Sequence, residues 1–171
     1  MKHQKITSKQ YFKTAKMIHG ALISGVIIFL FVASFIMWGQ ELEVDYNTES
    51  NVFYIIVGVL GLWALFGGDF IFKTQLKKAK IHPALSQKMM QYQKANIVKY
   101  ALIEGVALFS IVAALLTLSV WFLIIAGILV LVLASYYPSA DKAIKELDLN
   151  IDEQKQVRTA DAYISESMDN Q

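Results

Sequence analysis

The chain has 171 residues, of which 56% are hydrophobic and 18% are charged, and its formal net charge is +2. It contains no cysteine, which excludes disulfides, thiolate metal sites and cysteine nucleophiles. A soluble domain of this length interleaves its apolar residues with charged ones. Here the apolar residues collect in long runs without charge, so the composition indicates an integral membrane protein.

Four transmembrane helices are predicted from the apolar runs. About 20 helical residues cross the hydrocarbon core of a bilayer, at roughly 1.5 Å per residue. The first two runs each fit one span, and the long third run fits two spans with a turn at Thr117, Leu118 and Ser119. The predicted spans are 17–38, 52–72, 97–116 and 119–137. The predicted fold class is all-α, a polytopic membrane protein with four transmembrane helices and short cytoplasmic helices.

The polar parts of the chain are predicted to be short and helical. Residues 1–16 form a basic N-terminus, residues 17–137 the transmembrane bundle and residues 138–171 a tail. The polar segment between the second and third spans favours a helix around residues 84–94.

Two short helices are predicted in the tail. The first covers residues 141–147 and is capped by Ser139. The second starts at Asn150, with Glu153 completing a capping-box pattern. Beyond about Ala162 the acidic, serine-containing end is expected to fray.

The charges predict how the chain is oriented. All sixteen basic residues lie in residues 1–16, residues 73–99 or the tail after Pro138, whereas the loop 40–51 carries four acids and no base. Lysine and arginine are retained on the cytoplasmic side during insertion. The expected location is therefore the inner (cytoplasmic) membrane of a bacterium, multi-pass, with both termini cytoplasmic. The lysine-rich segments are expected to contact anionic lipid headgroups, and not nucleic acid.

An internal repeat indicates that a two-helix hairpin was duplicated. Residues 21–33 and 101–113 share eight identities in thirteen positions, including Gly25 and Gly105, although apolar segments match by chance more easily than mixed ones. Both hairpins enter from the cytoplasm, so the repeats are parallel. The first helix of each hairpin carries small residues four apart, Ala21 and Gly25 in one and Ala101 and Gly105 in the other. These pairs favour close packing of the first and third helices, although small residues also abound in spans generally.

Two acids lie inside the apolar runs, where an ionised carboxylate costs several kcal/mol unless it finds a partner or a proton. Asp69 is near the inner end of the second span, and an ion pair with Lys73 four residues later is the favoured interpretation. Glu104 lies two turns into the third span. It is a candidate for ion or proton handling, or for a buried hydrogen bond to Tyr100, Ser24 or His19. His19, Ser24, Asp69 and Glu104 are predicted to lie at a similar depth, as a polar cluster.

Residues 101–116, Ala-Leu-Ile-Glu-Gly-Val-Ala-Leu-Phe-Ser-Ile-Val-Ala-Ala-Leu-Leu, resemble the carboxylate-bearing helix of the rotor-ring proteolipid (subunit c) of rotary ATPases. The resemblance implies that Glu104 carries a translocated ion. The family's glycine-repeat helix is absent here, and Glu104 lies on the first helix of its hairpin instead of the second.

Most of the chain resembles an uncharacterised group of small bacterial four-helix inner-membrane proteins. The matching features are the lysine-rich N-terminus, Gly-Gly-Asp-Phe at residues 67–70, Lys-Tyr-Ala-Leu-Ile-Glu-Gly at residues 99–105, and a proline followed by an acidic helical tail. The resemblance implies a four-helix membrane fold and no known activity.

The leading interpretation of function is a non-enzymatic accessory or structural protein of the inner membrane. It would form a homo-oligomer or join a larger membrane complex within the lipid bilayer. A lone Glu, Asp and His set without metal-ligand spacing specifies no chemistry, and no cofactor or metal is expected. The alternative is a proteolipid-like protein that translocates protons or cations through Glu104.

Overall fold

A computed structural model describes residues 6–40 and 48–164. Its elements are α1 (Ser8–Met37), α2 (Thr48–Leu62), a π-helical turn (Trp63–Gly67), α3 (Gly68–Lys80), α4 (Leu85–Thr117), α5 (Val120–Ser135), α6 (Ala140–Leu147) and α7 (Ile151–Arg158). The only β pairing among the described residues is an isolated bridge between Thr7 and Tyr163. The all-α prediction is therefore confirmed.

Three helices are long and apolar enough to cross a membrane, namely Ser8–Met37, Asn51–Lys80 and Leu85–Thr117. The second of these runs through α2, the π-helical turn and α3. A fourth crossing depends on α5, which has 16 residues and is followed by α6 at a bend of 78°. The described residues thus contain three to four candidate spans.

The helices extend well beyond the predicted spans. α1 begins at Ser8 instead of residue 17, and α3 ends at Lys80 instead of residue 72. The separate polar helix predicted around residues 84–94 is the first part of α4, which continues without a break to Thr117. Hydropathy indicates where a helix leaves the hydrocarbon core, but it does not indicate where the helix ends. Lys, Gln, Met and Ala are good helix formers, so the helix can continue past that point.

The predicted turn between the last two spans lies where expected. α4 ends at Thr117 and α5 starts at Val120. Leu118 adopts the left-handed region with φ of 53°, which costs a residue with a side chain roughly 1–2 kcal/mol. Side chains hold the turn: the Thr117 hydroxyl donates to the Ala113 carbonyl at 2.8 Å, and Ser119 and Tyr54 share a hydrogen bond of 2.8 Å.

The tail helices are capped as predicted. The Ser139 hydroxyl accepts from the Lys142 backbone N–H, and Asn150 and Glu153 form both hydrogen bonds of a capping box. The prediction of fraying beyond Ala162 is wrong for the next two residues. Tyr163 bridges Thr7, and the Ile164 N–H donates to the Ile6 carbonyl at 3.0 Å. The remainder of that prediction falls on residues 165–171, which lie outside the described residues.

The chain divides into two compact units. The first unit takes its described residues from 6–19, 71–98 and 137–164, and the second from 20–40, 48–70 and 99–136. Residues 71–98, the middle segment, thus belong to the same unit as the described parts of the N-terminus and the tail.

The first unit has its own apolar core. Tyr11 and Phe12 of α1 are buried with Met89 of α4, Ile144 of α6 and Val157 of α7. Polar contacts join the same segments: the Tyr11 hydroxyl donates to the Met89 carbonyl at 2.8 Å, and the Ser8 hydroxyl donates to the Val157 carbonyl at 2.5 Å. The N-terminus, the middle segment and the tail therefore fold as one body.

In the second unit α4 is the central helix. Its most apolar stretch is 44% buried, against 17% for α1 and 22% for the helix over Asn51–Lys80. α5 buries one residue every three or four positions, at Phe122, Ala126, Leu129 and Leu133, as expected for helices packed at a small crossing angle. α1 and α2 contribute narrow buried stripes and leave most of their apolar surface exposed.

Candidate functional site

Glu104 occupies a half-buried position on α4. Its Oε1 lies 3.9 Å from the position that a Cβ on Gly25 would occupy, so this carboxylate faces α1. The predicted hydrogen bond from Tyr100 is wrong, because the Tyr100 hydroxyl donates to the Tyr136 carbonyl at 2.8 Å. Ser24 is exposed and does not bond to Glu104. Within the described part of the second unit, the carboxylate of Glu104 has no hydrogen-bond or ion-pair partner.

Asp69 forms an ion pair with Lys99, with Oδ1 and Nζ 2.5 Å apart. The predicted pairing with Lys73 is therefore wrong. The Lys99 side chain is 9% exposed and that of Asp69 is 44% exposed, so this bond satisfies a nearly buried ammonium. The same Nζ lies 3.6 Å from the centroid of the Tyr136 ring, a cation–π geometry. α3, α4 and the end of α5 meet at this pair.

Gly68 explains how Asp69 reaches a lysine on another helix. A Cβ at Gly68 would lie 3.6 Å from Leu102 Cδ1 and 4.0 Å from Lys99 Cγ, so the glycine lies directly against α4. The π-helical turn ends at the preceding residue. Such a turn inserts one extra residue, which rotates the side chains after it relative to those before it, and π-helical turns are common at functional sites.

His19 belongs to the first unit, whereas Ser24, Asp69 and Glu104 belong to the second. The imidazole of His19 is buried and meets the Tyr137 ring edge-on, with centroids 6.2 Å apart. The Nζ of Lys16 lies 5.2 Å from the same ring centroid. The sequence did not indicate this contact between His19 and Tyr137.

The small residues predicted to pack α1 against α4 are exposed within the chain. They are Ala21, Gly25, Ala101 and Gly105. A Cβ at Gly105 would have no heavy atom from elsewhere in the chain within 4 Å. Gly25 lies beside Glu104 of α4, and the buried residues of this region are larger ones, such as Ile103 on α4.

Sequence reasoning missed Lys99 and Tyr136 as members of the site. A signal for Lys99 existed, because it lies two residues inside the predicted span 97–116, where a charge is unusual. Tyr136 carried no such signal, since an aromatic residue at the end of a span is ordinary.

The charges of the site leave one acid unbalanced. Asp69 and Lys99 neutralise each other, so Glu104 is the unneutralised acid among the side chains described in the second unit. Such a carboxyl group can take up a proton or a cation. Among the described residues, no three His, Asp or Glu side chains are grouped closely enough to hold a metal ion. Comparisons with protein-family models, with curated proteins and with solved structures gave no significant match.

Proposed function

We propose that the chain is a four-span protein of the inner membrane, non-enzymatic, which serves as an accessory or structural subunit and associates with itself or with a larger membrane complex. The observation that carries this proposal is the exposure of its apolar helices, with only 17% of the most apolar stretch of α1 buried. Exposed apolar surface of this extent requires lipid or a protein partner to cover it.

The contacts between the segments of the first unit support four membrane crossings with both termini on one side. Lys88 pairs with Glu153 at 2.6 Å, and the Tyr11 hydroxyl donates to the Met89 carbonyl at 2.8 Å. Segments joined by such contacts must share one aqueous compartment. The chain would therefore cross the membrane an even number of times between residues 19 and 71, and again between 98 and 137.

The distribution of basic residues supports a cytoplasmic location for the first unit. Among the described residues, every lysine and arginine except Lys99 falls in its three segments. Because cationic segments are retained on the cytoplasmic side, the acidic loop would be external.

Burial supports the proposed parallel repeat. Val26 and its counterpart Val106 are both buried, and so are Ala33 and Ala113, whereas Val32 and Val112 are both exposed. A duplicated hairpin that kept its packing face would give this pattern.

The exposed small residues support association with another transmembrane helix. Small side chains four residues apart let two helix backbones approach closely, so that dispersion favours contact. Gly105 is the test position, because it lies four residues from Ala101 and a Cβ there would meet no heavy atom of another part of the chain within 4 Å.

The test of association is the size of the purified protein in mild detergent. Gly105→Leu is expected to convert an oligomer to a monomer, or to release a co-purifying partner. Gly58→Leu is the matched control, since Gly58 is also exposed on an apolar helix with open space at its Cβ. A wild-type chain that is monomeric and free of partners, in cross-linked membranes as well as in detergent, would contradict the association.

A second candidate function is proton or cation translocation through Glu104, which its unpartnered carboxylate favours. Glu104→Gln keeps the shape of the side chain and removes the ionisable group, so it should abolish flux in proteoliposomes. Asp141→Asn is the control, because that carboxylate is 83% exposed on a tail helix, outside the proposed spans. An accessory protein would show no flux in wild type, and Glu104→Gln would leave its assembly unchanged.

A further inference from the structure

Two helices of the first unit each carry a row of three lysines on one face. The lysines are spaced i, i+4 and i+7, and residues with this spacing lie on the same side of a helix. All six are exposed. The α1 row is Lys9, Lys13 and Lys16, and the α3 row is Lys73, Lys77 and Lys80.

These rows are not neutralised by the chain itself. Among the described residues, neither Lys9 nor Lys13 has an ion-pair partner, and the same holds for the α3 row. Lys16 lies over the ring of Tyr137 and not beside a carboxylate. By contrast, Lys88 and Arg158 are paired with acids of the tail region.

The rows lie at the depth of the lipid headgroups under the proposed topology. Lys16 directly precedes the apolar stretch of α1, and Lys73 directly follows the apolar end of the second span. The outermost lysine of each row is seven residues farther along the helix, roughly 10 Å away. The headgroup layer is about 5–8 Å thick on each side. The inner two lysines of each row therefore fall within or next to this layer, and the third within about a Debye length of it.

We propose that each lysine row binds the phosphate groups of anionic phospholipids in the inner leaflet. This inference rests on the proposed membrane topology. Lysine is a compact point charge with three donors on a flexible stem, which suits a mobile phosphodiester. Because α1 and α3 continue into apolar helices, their ammonium groups are held at a fixed depth, where a phosphate is always present.

The test compares lipid preference in vesicles of phosphatidylcholine with and without phosphatidylglycerol. Spin-labelled lipids report the relative association constant of the protein for the two headgroups. The variants are Lys13→Gln/Lys16→Gln for one row and Lys73→Gln/Lys77→Gln for the other. Lys145→Gln/Lys155→Gln is the control, since it removes the same charge from exposed lysines of the tail helices.

Each double row variant is expected to lower the preference for phosphatidylglycerol by about 5- to 25-fold at low salt, since each lysine near an anionic surface contributes a factor of about five. The control should change it by less than about twofold on the same scale. Lys13→Arg/Lys16→Arg should retain the preference. Row variants that match the control would overturn the inference.

Two further measurements distinguish binding of phospholipid from binding of other anions, and distinguish failure of this proposal from failure of the proposed topology. Glycerol phosphate and a short oligonucleotide, added at the same phosphate concentration, should not displace the labelled lipid. Displacement by the oligonucleotide would overturn the proposal in favour of nucleic acid. Resistance of the wild-type chain to alkaline extraction is measured on the same vesicles. Loss of that resistance counts against the membrane proposal, whereas an integral protein without headgroup preference counts against the lysine rows alone.

Discussion

The ion pair between Asp69 and Lys99 is predicted to respond unequally to the loss of its two partners. Asp69→Asn removes the carboxylate from beside the Lys99 ammonium, whose side chain is 9% exposed. Lys99→Met leaves an Asp69 carboxylate that is 44% exposed and can be hydrated or move towards the headgroups. We therefore expect Asp69→Asn to be the more destabilising of the two substitutions.

The magnitudes depend on these exposures. Removing one partner of a fully buried pair costs roughly 3–5 kcal/mol, and the partial exposure of Asp69 reduces this to about 2–3 kcal/mol for Asp69→Asn. Lys99→Met also loses the cation–π contact with Tyr136, which contributes about 0.5–2 kcal/mol, but it removes the buried charge. Its expected cost is about 1–2 kcal/mol. The double variant should cost less than the sum of the single ones, by about 1–2 kcal/mol.

The assay is a double-mutant cycle on the free energy of unfolding, measured by reversible denaturation in mixed micelles. The control cycle uses Asp141→Asn and Arg158→Met, since those side chains are 83% and 63% exposed and 3.3 Å apart. Its coupling should be below about 0.5 kcal/mol. Equal coupling in the two cycles, or a greater cost for Lys99→Met than for Asp69→Asn, would refute the reasoning.

Three further substitutions test local features by the same unfolding assay. Leu118→Gly should leave the unfolding free energy within about 1 kcal/mol of wild type, because relief of the left-handed strain offsets the packing lost with a half-buried side chain; a loss above about 2 kcal/mol would show that packing dominates. Asp148→Gly should raise the unfolding free energy by about 0.5–1 kcal/mol, because Asp148 is exposed and adopts the left-handed φ of 56° that glycine favours at the end of α6. A lower unfolding free energy would contradict this. Asn150→Ala should cost about 1 kcal/mol by removing the capping box of α7, and an unchanged stability would mean that the cap contributes nothing.

Features set by neighbours in the sequence could be predicted. The cap at Ser139 and the capping box of Asn150 and Glu153 depend on side chains three residues apart, so their sequence pattern is sufficient. The turn at Leu118 could be predicted from length alone, because the run is too long for one span. Its left-handed leucine could not have been predicted, since that conformation is imposed by the two packed helices.

Features set by contacts between distant segments could not be predicted. Asp69 has a plausible lysine four residues away, yet its partner lies on α4, because Gly68 lets the two helices approach. The folding of the N-terminus, the middle segment and the tail into one unit was missed for the same reason. Each segment alone is short and polar, and only their combined burial of residues such as Phe12 and Met89 makes a core.

The proposal that these three segments share one compartment can be tested directly, because the chain has no native cysteine. Single cysteines are placed at Gln10, Met90 and Ala160, which are exposed in the first unit, and at Tyr46 in the acidic loop. In intact cells a membrane-impermeant maleimide should label only the cysteine at position 46, and the other three should react after the membrane is permeabilised. Labelling of position 90 from outside while position 160 stays protected, or protection of position 46 together with position 90, would contradict a four-span chain with one cytoplasmic unit.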